Sequence, residues 1–202
     1  YGATTVSAAL TLADRAGICV FATGGIGGVH RGSELTGDIS ADLDAIARRA
    51  VVTVSAGAKA FLDLARTLEY LETSGAPVLG WQTDEFPAFY TRTSGLNVPH
   101  RVETAEAVAA IFHNRTRPDQ GVLLAVPIPE ADSLDAGRLD AALASALEEC
   151  EAQGIRGAAI TPFVLERIAV ATDGDSLPAN LALAEHNAEV AAQVAVAIAQ
   201  LG

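Results

Sequence analysis

The sequence predicts a layered α/β/α fold with a mostly parallel central sheet, built as one domain over residues 1–202. Three observations predict it. Short apolar, β-branched runs recur along the chain as "ICVFAT", "VVTVSA", "APVLGWQ" and "GVLLAVPIP". Stretches of helical period separate them, the alternation that produces parallel sheets covered on both faces. Glycine-rich or aromatic loops follow several of the runs directly, at the strand ends where sheets of this class hold their ligands. No internal repeat, linker or low-complexity segment divides the chain.

The elements follow in order. Thr4 or Thr5 can cap a first helix that runs to about Arg15, with Ala8, Ala9, Leu12 and Ala16 on one stripe and Gly17 as the stop. The strand "ICVFAT" empties into the loop "GGIGGVHRG", and "SELTGDISADLDAIARRAV" supplies a second helix whose start is marked by Asp38, Ser40 and Asp42. "VVTVSA" is the next strand, "FLDLARTLEYLET" an amphipathic helix ending near Gly75, and "APVLGWQ" a further strand. Residues 83–99 mix aromatics with Pro and Gly without a period and read as a structured loop. A helix over 104–115, the strand "GVLLAVPIP" and a long helix over about 135–153 come next. A short strand and a helix within "GAAITPFVLERIAVATDG" follow, and an alanine-rich helix over 178–200 closes the series.

Composition narrows the function. Half the residues are hydrophobic and 19% are charged, as in ordinary globular proteins. The formal charge of −12 argues against nucleic acid or an anionic membrane surface, since a polyanion needs a clustered basic face. No apolar run reaches the ~18 residues of a membrane span, and no leader pattern opens the chain, so a cytoplasmic protein is expected. Cys19 and Cys150 fit neither a metal spacing nor a disulfide framework and read as free thiols. Methionine is absent, even at position 1, and the opening residues already read as helix, which suggests a fragment or a processed chain.

Charge chemistry singles out one residue. Lys59 is the only lysine among thirteen Lys and Arg residues. A guanidinium keeps its proton, whereas an amine can lose one and attack a carbonyl carbon. Lys59 follows a strand and a glycine, where α/β sites are built; a surface lysine is the competing reading. "FATGGIGGVHRG" offers backbone N–H groups to an anion, with Thr23 and His30 as further donors, or is simply a flexible turn. Its glycine spacing matches neither nucleotide fingerprint. In "TGDISADL", Asp38 could hold a hard divalent cation directly or through water while Ser40 and Asp42 face a polar substrate; capping of the helix is the alternative. His100, His113 and His186 read as surface or capping groups, and Asn180 and Asn187 as polar positions on the last helix.

The stretches "GATTV", "VFATGGIGGVHRG", "DISADL", "AGAKAFLDLARTLEYLET", "TDEFPAFY", "PIP", "TPF" and "SLPANLAL" are collinear over nearly the whole chain. Together they resemble the pseudouridine-5′-phosphate glycosidase family, also known as the indigoidine synthase A-like family. The resemblance implies a homotrimeric enzyme that reversibly cleaves the C–C bond between uracil and ribose 5-phosphate with a divalent cation, Mn2+ in most members. It places Lys59 on the family's nucleophile, which forms an imine with the ring-opened sugar, and Asp42 on the acidic residue that assists opening. It matches Asp38 to the metal site, Val6, Ser40, Ala41 and Asp42 to substrate contacts, Thr23 and His30 to the phosphate region, and Asn180 to the base. Two departures accompany it. The family's N-terminal third, with the glutamate that protonates uracil and a second lysine, has no counterpart here, and "EHN" at 185–187 replaces an expected pair of asparagines. Two other functions remain compatible: a C-glycosynthase joining ribose 5-phosphate to an aromatic aglycone, and an inactive sugar-phosphate-binding or assembly subunit.

Overall fold

A computed structural model describes residues 4–201; Gly2 and Ala3 of the "GATTV" stretch lie outside them. Five strands form one sheet in the order β1-β2-β5-β3-β4, from Val20–Ala22 (β1), Val52–Ser55 (β2), Val78–Trp81 (β3), His100–Val102 (β4) and Val122–Ala125 (β5). Every pairing is parallel, and one row of partners runs Ala22, Val54, Leu124, Leu79, His100 across the whole sheet.

The three inner strands are buried on both faces, which is why they read as continuous apolar runs. Their alternation still sorts side chains between two cores. Val52, Val54, Leu79, Trp81, Val122 and Leu124 pack with helices Ala105–His113 (α5) and Ser176–Leu201 (α8). Val78, Leu123 and Ala125 face the opposite core. That core is built by Val6–Arg15 (α1), Ala41–Arg48 (α3) and Leu64–Thr73 (α4), extended by the helix pair Ala136–Ala152 (α6) and Ile160–Ala171 (α7). The α/β/α layering is thus the predicted one.

Local chemistry accounts for the helix starts. Thr5, Ser40, Asp63, Thr104 and Asp135 each accept a backbone N–H of the first turn of α1, α3, α4, α5 and α6. These caps correct two expectations. The second helix, whose start the sequence marked by Asp38, Ser40 and Asp42, is capped by Ser40, and a separate single turn at Ser33–Thr36 (α2), ended by Gly37 at φ 67°, precedes it. Asp38 and Asp42 therefore do not cap it. The helix expected from Phe61 begins at Leu64, since Asp63 takes the cap.

Two further differences concern strands. β4 lies just past the expected loop, where the sequence carries no strand signal: "HRV" is short, exposed at its first two positions and contains an arginine, the polar character of a sheet edge. No strand occurs at "GAAI". A 3-10 turn over Gly157–Ala159 runs straight into α7, where Pro162 lies in the first turn and suits helical φ.

The loop over residues 83–99 is structured, as expected. Phe86 is fully buried, Ser94 Oγ donates to the Phe86 carbonyl at 2.5 Å, and Arg101 Nη1 pairs with Asp84 at 2.8 Å.

Thr67 of α4 ties the layers together near the strand ends. Its hydroxyl donates to the Asp63 carbonyl at 2.7 Å and accepts the Val29 N–H at 3.0 Å. Thr67→Val keeps the shape and strands the buried Val29 N–H, so an expected loss of about 2 kcal/mol should appear as a lower urea midpoint at unchanged slope.

Candidate active site

β1 and β2 do not stop pairing where their regular ladder ends. The Ala56 N–H donates to the Gly24 carbonyl at 2.9 Å, Ile26 N–H to Gly57 O at 3.1 Å, and Lys59 N–H to Ile26 O at 3.1 Å. The two chains thus leave the sheet side by side, and Lys59 emerges at the carboxyl end of β2 on a fixed backbone. The residue is half-buried. None of the ion pairs among the described residues uses Lys59, although Arg48, Arg66, Arg101, Arg117, Arg138 and Arg167 are all engaged.

The next residue of the glycine loop holds the second candidate. Gly27 N–H donates to Asp42 Oδ2 at 2.8 Å, and Ser7 N–H donates to Asp42 Oδ1 at 2.8 Å. Asp42 is 7% exposed, so both bonds are shielded. Consecutive residues Ile26 and Gly27 therefore hold Lys59 on one side and Asp42 on the other. A side chain at Gly27 would collide with Ser40 and Asp42, so the loop needs glycine there to approach α3 this closely.

The structure gathers most of the remaining predicted residues around this loop. Val6 opens α1 next to the Ser7 amide that binds Asp42. Ser40 Oγ accepts the Asp42 N–H at 3.2 Å, which is the capping role, and Ala41 is exposed at the first turn of α3. Thr23 follows β1, with its N–H on the Val54 carbonyl at 3.0 Å. His30 N–H donates to the Asp38 carbonyl at 3.0 Å, and His30 Nδ1 lies 3.9 Å from Asp38 Oδ2. Asn180 of α8 lies beside Gly24, its Oδ1 3.4 Å from where a Gly24 Cβ would be.

The glycine loop offers an anion fewer amides than its sequence suggests. Ile26, Gly27, Val29 and His30 spend theirs on Gly57, Asp42, Thr67 and Asp38. The amides of Gly24, Gly25 and Gly28 make none of these bonds. Arg31, directly after His30, is exposed and sends its Nε to the Phe61 carbonyl at 3.3 Å. It borders a cavity of about 720 Å3 that Ala60, Asp63, Thr91, Ser94 and Asp140 also line. Neither Lys59 nor Asp42 lines that cavity.

Three residues join the site that the sequence did not assign to it. Asn187 of α8 is 1% exposed, and its Nδ2 donates to Thr23 O at 2.8 Å and Gly24 O at 3.2 Å. Thr67 serves the loop from α4. Both are polar residues on apolar helical stripes, Asn187 between Leu183 and Val190 and Thr67 between Leu64 and Leu71, and that interruption was the available signal. Phe89 carried none. It stands at φ 65°, unusual for an aromatic residue, with its N–H on the Ala56 carbonyl at 3.0 Å. Its ring presses on Gly25 and meets Tyr90 edge-on at 4.6 Å. Burial pushes the Tyr90 phenol up, against the opposing hydrogen bond of Ser176, so it stays neutral.

Metal chelation has a weaker basis. Among the described residues no three His, Cys, Asp or Glu side chains converge. Asp38 is a single half-exposed carboxylate beside His30. A single carboxylate of this kind fits at most a largely hydrated hard cation, and does not fit an all-protein cage.

Comparison with known proteins locates this architecture. Residues 1–197 match the family described as indigoidine synthase A like protein. A pseudouridine-5′-phosphate glycosidase of Methylobacterium nodulans is 56% identical over 200 residues, 98% of this chain and 59% of that protein. Another, from Caldanaerobacter subterraneus subsp. tengcongensis, is 54% identical over 203 residues, 98% of this chain and 66% of that protein. Of solved structures, the prealnumycin C-glycosynthase AlnA in complex with ribulose 5-phosphate is similar at a TM-score of 0.92 and 40% identity, over 99% of this chain and 67% of that one. An indigoidine synthase A-like protein from Thermotoga maritima is similar at 0.85 and 38%, over 96% and 64%. The chain therefore spans 59% and 66% of the two curated relatives' lengths. A family match over nearly the entire chain, with relatives more than half identical along it, means that this chain belongs to the indigoidine synthase A-like family.

Proposed function

We propose that this chain carries the nucleophilic part of a pseudouridine-5′-phosphate glycosidase, which reversibly cleaves the C–C glycosidic bond to uracil and ribose 5-phosphate. The observation that carries the proposal is the sole lysine, outside the ion pairs of the described residues and fixed at the end of β2 by Ile26, whose neighbour Gly27 in the glycine loop binds Asp42 of α3. Support comes also from relatives of that name at 56% and 54% identity and from the similar C-glycosynthase, which was solved in complex with ribulose 5-phosphate.

A C–C glycosidic bond has no heteroatom leaving group to protonate, so the two-carboxylate route of ordinary glycosidases does not apply. In the joining direction, Lys59 Nζ adds to the C1 aldehyde of open-chain ribose 5-phosphate and water leaves, giving an imine. The uracil carbon adds to C1 and gives up its proton, and the sugar O4 closes on C1 as the amine departs. Cleavage is the reverse, with a proton returned to the carbon of the base. The imine supplies the electron path that the bond otherwise lacks.

The chain's own residues have definite parts. Asp42 already accepts two N–H groups, and the remaining lone pairs of its oxygens can accept a sugar hydroxyl and hold it for ring opening or closing. Ser40, Ala41 and Val6 line that side, Asn180 faces the base, and Thr23 and His30 serve the phosphate. Asp38 would hold a divalent cation such as Mn2+, which when bound would supply positive charge against the phosphate. The reaction belongs in the cytoplasm and the assembly we propose is a homotrimer. No helix among the described residues is long and apolar enough to cross a membrane.

A second activity is favoured by a specific observation: the solved structure similar at a TM-score of 0.92 is that of a C-glycosynthase. Joining ribose 5-phosphate to a polycyclic phenol would use the same imine with a different carbon nucleophile.

Three outcomes are expected. Borohydride added with ribose 5-phosphate should fix a reduced sugar-phosphate on Lys59, located by peptide mass spectrometry, and Lys59→Arg should abolish it while keeping the charge. An adduct persisting in that variant would remove Lys59 from the mechanism; with the adduct established, uracil and a polycyclic phenol offered in parallel decide between the two activities. Asp42→Asn replaces one acceptor oxygen by a donor facing a backbone N–H, so stability should fall by about 2 kcal/mol and adduct formation should slow. Mn2+ binding followed by electron paramagnetic resonance should weaken in Asp38→Ala and stay unchanged in Asp44→Ala.

A further inference from the structure

We propose that Asn187 is a positioning residue for Lys59, holding the end of β1 to which the Lys59 backbone is hydrogen-bonded. The inference rests on the proposed role of Lys59 as nucleophile. Asn187 is 1% exposed on α8, 164 residues in sequence from the Thr23 carbonyl it binds. Thr23 O and Gly24 O are both acceptors only, so the side chain must turn its NH2 toward them, and the orientation of the amide is set by chemistry. The opposite atom, Oδ1, is then left buried and without a protein partner.

A polar group of this kind is costly unless it holds something. What it holds is the first rung of the strand-end ladder. Gly24 O accepts from both Asn187 Nδ2 and the Ala56 N–H, Ile26 next pairs with Gly57, and Ile26 O takes the Lys59 N–H. Asn180 and Leu183 press on the same Gly24 from the same face of α8. Helix α8 itself is anchored in the core by Val190, Val194 and Ala197. A rigid helix thereby sets the height of the loop, and the loop sets where Lys59 leaves β2. Misplacing a reacting group by about 1 Å can cost on the order of a hundredfold in rate.

The test uses the whole chain and three variants. Asn187→Leu keeps the branched outline, adds some bulk and removes both donors. Val194→Ala, on the same stripe two turns along, opens a cavity away from the loop and serves as the measure of general destabilisation. Two readouts are taken: the limiting rate and half-saturation of ribose 5-phosphate trapping by borohydride, and the acetylation of Lys59 relative to the N-terminal amine at fixed pH. Asn187→Leu should lower the limiting trapping rate about tenfold or more, leave half-saturation within about threefold, and change the acetylation ratio; Val194→Ala should change neither rate nor ratio. Equal behaviour of the two variants would overturn the proposal and leave Asn187 a structural residue. Should the wild type form no adduct, the nucleophile role fails, and the acetylation ratio alone decides the positioning: a change in Asn187→Leu supports it, no change overturns it. If Asn187→Leu does not fold, Asn187→Asp keeps the shape, sets an acceptor in place of the donor, and is read by the same two measurements.

Discussion

The double hydrogen bond of Ile26 to Gly57 and Lys59 is the constraint on which the site depends. Ile26 is fully buried, so neither its N–H nor its carbonyl can turn to water without large cost. The glycine loop is consequently an extension of the sheet and not a free turn. Its next amide goes to Asp42, and through Asp42 the start of α1 is joined to the start of α3. One buried residue thereby sets the relation between an amine from β2 and a carboxylate from α3.

The division of labour among charged side chains follows from the same architecture. The exposed arginine pairs, such as Arg48 with Asp44 and Arg66 with Glu34, act at the surface, where each contributes little to stability. Asp42 differs: buried, outside the ion pairs of the described residues, satisfied by backbone N–H groups. A carboxylate held in this way is fixed in orientation while keeping lone pairs for a ligand. Lys59 is the complementary case, a cation left out of the ion-pair network.

The loop is wedged by three unrelated parts of the fold. Phe89 presses from the segment after β3, Thr67 from α4, and Asn187 from α8. The left-handed φ of Phe89 is tolerated because its amide bonds Ala56 and its ring is packed against Gly25 and Tyr90.

The sequence by itself determined the layered α/β fold, the mostly parallel sheet, the short stretches in which the first and second helices are capped, and the identity of Lys59 as the odd cation. Each of these is written in local pattern: period, end residues, or a singular side chain. It was silent on β4, whose three residues pair with the edge that β3 offers, and it misled at "GAAI", where a 3-10 turn runs into α7 instead of a strand. Only tertiary structure decided that Asp42 would be shared by Ser7 and Gly27, that the loop amides would be spent inside the protein, and that Asn187 would reach Thr23. Those bonds join residues far apart in the chain, and the burial that gives them their strength exists only after the helices have closed over the sheet.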